Sequence, residues 1–175
     1  MSTATLRTWQ ILQGITPVVF FALCTKTGTL LISIGISLFR HPTAASDLYL
    51  GLDLSGLMAY DRMHYEIIAA LLLLVSGLKA WMAFDAWRIF STLDMELPFS
   101  PAIHRLIRRI GVVALATGVL AVIAEKFSNR LIRQEVSIPI SWAAEETLLF
   151  AAILIVISHV FRRGIQLQEE QKLTI

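Results

Sequence analysis

Two lysines stand where lysines are costly. Lys26 sits in CTKTGT, midway along an apolar stretch, and Lys79 follows IIAALLLLVSGL in another. An ammonium at the centre of a bilayer costs about 2.5–3.5 kcal/mol on insertion scales, so such a residue faces a protein interior, a watery cavity, or reaches along its stem to the surface. The chemistry open to it is ion pairing, proton transfer or the binding of an anion. Carboxylates are available. Glu66 lies at the start of the second apolar stretch, Glu125 at the end of the third, and Glu145 and Glu146 open the fourth. All four are expected near one membrane face, at a level that Lys26 on its long helix can reach. Two readings follow: charge pairs that fix helix register, or a polar cavity for an ion, proton or small ligand. Asp85 is six residues from Lys79 and on another helix face. It lies three residues before Arg88, the spacing at which helix side chains pair.

Other chemistries find little here. Cys24 is the one cysteine, so thiol–disulfide exchange, which needs a pair, is excluded, and Cys24 reads as a small packing residue. His64 and His159 fall at opposite ends of their stretches and cannot share a haem. His41 and His64 could meet at one face, but without the Cys/His spacing of a metal site. No hydrolase triad, phosphate loop or dinucleotide fingerprint is present. The expectation is a non-enzymatic chain with no catalytic residue, metal or cofactor.

The elements that must position these charges are membrane spans. Ile11–Phe39, Tyr65–Ile89, Ile110–Phe127 and Ala143–Phe161 are each apolar over about the 20 residues that cross a bilayer core. The chain has 175 residues, 56% hydrophobic and 16% charged, against about 25% charged in soluble domains. That leaves room for one all-α membrane domain over 1–175, a four-helix bundle with short connections. The amino-terminal stretch continues apolar to Phe39 and reads as a retained span rather than a cleaved signal. Pro17 marks a kink or a short interfacial helix. A net charge of +2 gives no reason to expect direct nucleic-acid binding.

The connections differ in character. In 43–64 the leucines at 48, 50, 52 and 54 alternate with other residues, as in a strand, with a short interfacial helix as the alternative; its apolar residues are expected on the membrane surface. In the second connection Ser100 can cap a helix with Pro101 in its first turn. Ile103, Leu106, Ile107 and Ile110 then share one face and Arg105, Arg108 and Arg109 the other, an amphipathic entry to the third span. In the third connection Trp142 reads as an interface anchor. His159 reads as a hydrogen-bonded interface residue. With four spans, both termini share a side with the second connection. That side holds Arg7, Arg88, Arg105, Arg108, Arg109, Arg162, Arg163 and Lys172, against Arg40, Arg62, Lys126, Arg130 and Arg133 opposite. The excess of basic residues predicts cytoplasmic termini.

Two segments carry a resemblance. PFSPAIHRLIRRIG, with Pro98, Phe99 and Ser100, resembles the Pro-Phe-Ser-(Pro) segment and basic-apolar helix of the bacterial integral membrane family named domain of unknown function 2975. HVFRRGIQLQEEQKLTI, with Arg162, Arg163 and Gly164, resembles that family's closing segment. The chain departs from the pattern at Ala102-Ile103, where an acidic residue is frequent, and at Gln171-Lys172. The resemblance implies a four-helix protein of the bacterial inner membrane and brings no catalytic residue. Members often adjoin a gene for a small helix-turn-helix regulator, which implies a regulatory or sensing role with such a partner. Arg105, Arg108, Arg109, Arg162 and Arg163 could equally bind anionic lipid, at about 1 kcal/mol per residue near the surface. The competing reading is a small transporter or channel subunit using the intramembrane charges.

Overall fold

The computed structural model describes residues 3–92 and 100–173. Pro98 and Phe99 lie outside them. The described chain is helical without a strand: α1 (Thr3–Phe39), a 3-10 turn (Pro42–Ser46), α2 (Ser55–Tyr60), α3 (Arg62–Thr92), α4 (Pro101–Ile132) and α5 (Ala144–Leu173). Four of these are long and apolar enough to cross a membrane, over Ile11–Phe39, Arg62–Thr92, Pro101–Ile132 and Ala144–Gln168. The protein is a multi-pass membrane protein. The helices outrun the apolar stretches because their ends are amphipathic. The basic turn that opens at Pro101 is continuous with the third span, and Ser100 caps it by accepting from the Ile103 N–H at 3.3 Å. Pro17 does not interrupt α1, which is one helix on both sides of it.

Consecutive long helices pack in chain order. α1 lies against α3, α3 against α4 and α4 against α5; among the described residues α1 makes no close backbone approach to α4 or α5. The two outer helices therefore leave wide apolar faces uncovered. Val18, Phe21 and Ile32 of α1 and Leu149, Val156 and Val160 of α5 are all exposed. In a membrane such faces meet acyl chains, which satisfies them without further protein.

Each interface has its own device. α1 and α3 run antiparallel, tied near one end by Gln13 Nε2 donating to the Phe90 carbonyl at 3.1 Å and near the other by Ser37 Oγ and Tyr65 Oη at 2.5 Å. Between them, Phe20 packs on Phe84 and Trp87 with ring centroids 5.5 and 5.7 Å apart. α4 meets α5 through small residues. Gly111, Ala114, Gly118 and Ala121 are buried on one face, opposite Ala144 and Ala151. At Gly118 the approach is so close that a Cβ there would lie 2.6 Å from Leu148 Cδ2. Association of helices in lipid relies on such contact, since lipid offers no hydrophobic drive to bring helices together.

The connections at the end away from Ser100 do not rest on a membrane surface as their apolar alternation predicts. Residues 43–60 fold back as the 3-10 turn and α2, and Ala45, Leu48, Leu54 and Leu57 are core residues at 0–1% exposure. The alternation does not make a strand because no second strand adjoins it. The Leu54 N–H donates instead to Ala45 O at 2.8 Å and the Leu48 N–H to Leu52 O at 3.0 Å, closing a compact loop. Gly51, at φ +82, makes the turn that an L residue adopts only with strain. Segment 133–143 is likewise packed, with Val136, Ile138 and Trp142 buried. Trp142 is not an interface anchor. It is 3% exposed and its indole N–H donates to Ser128 Oγ at 3.0 Å. An aromatic flanking a span satisfies its N–H as well inside the protein as at the headgroups.

Candidate functional site

The charges predicted within the membrane do not form one site. The deepest is Asp85 of α3, with 0% exposure. Its partner is not Arg88. The Arg109 Nε of α4 approaches Asp85 Oδ2 at 3.1 Å, while Arg88 lies on the exposed side of α3 with its guanidinium 5.9 Å from the Phe84 ring centre. Intrahelical spacing permits the Arg88 pair, but burial decides: Asp85 points at α4, and only a cation from that helix can follow it. Arg109 also stacks over Trp81, 5.0 Å from the ring centre, so one guanidinium engages two α3 side chains one turn apart. Neither Asp85 oxygen has an aligned hydrogen bond. The contact is therefore a close ion pair, and its force is Coulombic rather than directional.

Lys26 and Lys79 form a second group. The Gln13–Phe90 and Ser37–Tyr65 contacts set a register that brings them within about one turn of each other on adjacent helices. Both are partly buried. Lys79 reaches along its stem to the backbone of the third connection, with Nζ 3.5 Å from the Trp142 carbonyl, and has Lys26 and Glu146 within electrostatic range. Lys26 Nζ lies 5.8 Å over the Tyr49 ring and lines a cavity of about 170 Å³ with Leu72 and Ser141. Both ammonium groups thus leave mid-depth for the loop end.

The expected group of four carboxylates is not one cluster. Glu125, Glu145 and Glu146 line a polar cavity of about 410 Å³ with Ser128, Asn129 and Ser141. Glu66 stands apart and accepts from Arg62 Nε at 3.0 Å on the exposed side of α3. The sequence positions are similar in depth, but α3 turns Glu66 away from α4 and α5. Among the described residues no set of His, Cys, Asp and Glu is arranged to hold a metal ion. His41 and His64 do not meet: His64 Nδ1 bonds the Asp61 carboxylate and its ring stacks on Phe127 at 5.7 Å.

That Asp61–His64 contact lies in the loop just before the span and holds the Asp61 carboxyl below its ordinary range, the His64 side-chain bond being the larger cause and the His64 N–H the next. A lowered carboxylate contributes stability above the unfolded-state value, and loses it as pH falls through the folded value. Asp61→Asn should therefore flatten the loss of thermal stability below about pH 4, where the unfolded carboxylate begins to protonate. Melting temperatures of the two proteins between pH 3 and 7 check this; parallel curves would show that the pair contributes nothing.

The remaining group occupies the end that holds Ser100. Arg105, Arg108 and Arg109 are exposed on α4, as are Arg162 and Arg163 on α5, while Ile103, Ile107 and Ile110 are buried, as their periodicity predicts. Among the clefts that open there, two lie at helix boundaries. One, between α3 and α4, is about 390 Å³ and is edged by Arg88, Arg105 and Arg109. The other, between α4 and α5, is about 330 Å³ and is lined by His104, Arg108, Ser158, His159 and Arg162. Gly164 lies on α5, half-buried. Among the described residues Arg105, Arg108, Arg162 and Arg163 have no ion-pair partner.

The family model described as a protein of unknown function (DUF2975) matches residues 57–175. The chain belongs to that family. The DUF2975 match takes in α3, α4 and α5, and with them the Asp85–Arg109 pair, the Gly118 approach and both clefts. α1 and Lys26 precede it. No curated protein and no solved structure matches the chain.

Sequence reasoning missed Arg109 as the partner of Asp85, and it missed Trp81 and Ser158. A signal for the first was present. In a helical hairpin, residues about equally far from the middle of the connection come close, and Asp85 and Arg109 are nearly so placed about the 93–99 link. Trp81 is one turn from Asp85 and follows from the same register. Ser158 had no signal, since a serine in an apolar run bonds its own helix as readily as a neighbour.

Proposed function

We propose that this DUF2975 member is a non-enzymatic protein of the bacterial inner membrane with both termini in the cytoplasm, and that it regulates or senses through a protein partner at its basic end. The observation that carries this is the division of labour among the charges. Asp85 is held by Arg109, and Lys79 by the Trp142 carbonyl, so the deep charges serve packing. Arg105, Arg108, Arg162 and Arg163, at the end that holds Ser100, are exposed and have no ion-pair partner among the described residues. Basic residues accumulate on cytoplasmic faces, which supports the orientation. α5 continues beyond the span that ends at Gln168, as far as Leu173, giving a partner a short helical handle at that end. A small helix-turn-helix regulator is the proposed partner.

A small transporter or channel subunit is the second reading. The polar cavity of Glu125, Glu145 and Glu146 favours it. It weighs less because a conducting path also needs polar lining through the remaining depth.

Affinity purification from native membranes in a mild detergent tests the choice. Recovery of a helix-turn-helix protein with the full chain, and its loss on deletion of residues 165–175, is the expected result. Purification of the chain alone, with solute or ion flux in proteoliposomes that Lys79→Ala abolishes, would replace it with the transport reading.

A further inference from the structure

The cleft between α4 and α5 has a chemistry that partner docking does not explain. Arg108 and Arg162 flank it from opposite helices, and His104, His159 and Ser158 complete its polar lining. No carboxylate lines it among the described residues. His159 Nδ1 donates to the Ile155 carbonyl at 2.8 Å, which fixes its proton there and leaves Nε2 as the ring's free polar atom. His104 Nδ1 and Ser158 Oγ lie 3.5 Å apart across the same cleft. The rest of the lining is of the opposite character: it is Val112 and Ile155, and Val112 is 56% exposed. Two guanidinium groups over an apolar slot that opens sideways into the bilayer match one kind of ligand: an anion with a hydrocarbon tail.

We infer that this cleft binds the phosphate of an anionic phospholipid, with Arg108 and Arg162 clamping the phosphate and an acyl chain lying along Val112 and Ile155. Arginine suits the task because its planar fork meets phosphate oxygens two at a time. The apolar slot distinguishes a lipid from free phosphate, which would gain nothing from it. The position fits too: Arg162 is the first charged residue after the apolar stretch that ends at Phe161, where a basic side chain can reach headgroups. The site does not depend on a protein partner, and the deletion of 165–175 leaves its lining residues in place.

The test uses the full chain, purified in a neutral detergent and delipidated, with binding of phosphatidylglycerol followed by native mass spectrometry and by the shift in melting temperature. Phosphatidylglycerol should bind and stabilise where phosphatidylcholine does not. Each arginine is expected to contribute roughly fivefold near an anionic headgroup, so Arg108→Gln with Arg162→Gln should weaken binding by about twenty-five-fold. Arg130→Gln with Arg133→Gln, at the other end, should leave it unchanged. Where the glutamine pair does not fold, the pair Arg108→Lys and Arg162→Lys, which keeps the charge and loses the fork, should still weaken binding several-fold. Equal binding of phosphatidylcholine, unchanged affinity in the Arg108/Arg162 variants, or the same stabilisation by inorganic phosphate alone would overturn the assignment.

Discussion

Arg109→Ala is expected to destabilise the protein by about 3–5 kcal/mol, the range seen when one partner of a buried ion pair is removed. The cost arises at Asp85, whose carboxylate stays at 0% exposure with no aligned hydrogen bond to replace the lost cation. The reverse change should be milder. Asp85→Ala leaves Arg109, which is 43% exposed and still stacks on Trp81, so the guanidinium can turn toward water or lipid phosphate. The double replacement Asp85→Leu with Arg109→Met removes both charges and should recover most of the loss, because apolar replacements of buried pairs are often neutral. Thermal unfolding of the four variants in one detergent measures the asymmetry. Equal losses for Arg109→Ala and Asp85→Ala would mean that the pair is bound by mutual attraction alone and that burial of Asp85 contributes nothing.

Gly118→Leu should be the most disruptive change in the apolar interfaces. Its Cβ would fall 2.6 Å from Leu148 Cδ2 and 3.3 Å from the Leu148 backbone nitrogen. The side chain of Leu148 can rotate away, but the α5 backbone cannot, so the helices must part or the leucine must strain. Overpacking of this kind costs about 1–3 kcal/mol and sometimes more. It also removes close contact where helix association has no hydrophobic drive to compensate. Gly111→Ala is the control. There the nearest atoms to a Cβ are at 3.4 Å, an ordinary contact, and alanine is the better helix former by up to about 1 kcal/mol. Gly111→Ala should therefore be neutral or stabilising, while Gly118→Leu lowers the melting temperature and exposes the α4–α5 boundary to protease. Similar behaviour of both variants would show that the two helices are not locked at Gly118.

The long helices were legible because apolar run length is a direct physical requirement of a bilayer, and the amphipathic start of α4 because its isoleucines and arginines recur at helical spacing. The family resemblance was legible in two short motifs, and the match over 57–175 contains both. What was not legible depended on contacts between helices. Asp85 had a cation three residues away in sequence and used another on a different helix. The leucines of 48–54 alternated as a strand does, yet alternation alone cannot say whether a partner strand exists, and the loop buried Leu48 and Leu54 against α1 and α3 instead. Glu66, Glu125, Glu145 and Glu146 share a depth, and depth says nothing of the direction in which each helix turns its side chains.

The proposed partner site and the lipid cleft both need the basic end to face the cytoplasm, so sidedness is the most direct test of the account. In a Cys24→Ser background, single cysteines are placed by Ser46→Cys in the loop before α2 and by Gln166→Cys on α5, both exposed positions. Spheroplasts are then treated with a membrane-impermeant maleimide before and after permeabilisation. Ser46→Cys should be labelled in intact spheroplasts and Gln166→Cys only after permeabilisation. Labelling of Gln166→Cys from outside, with Ser46→Cys protected until the membrane is opened, would contradict it.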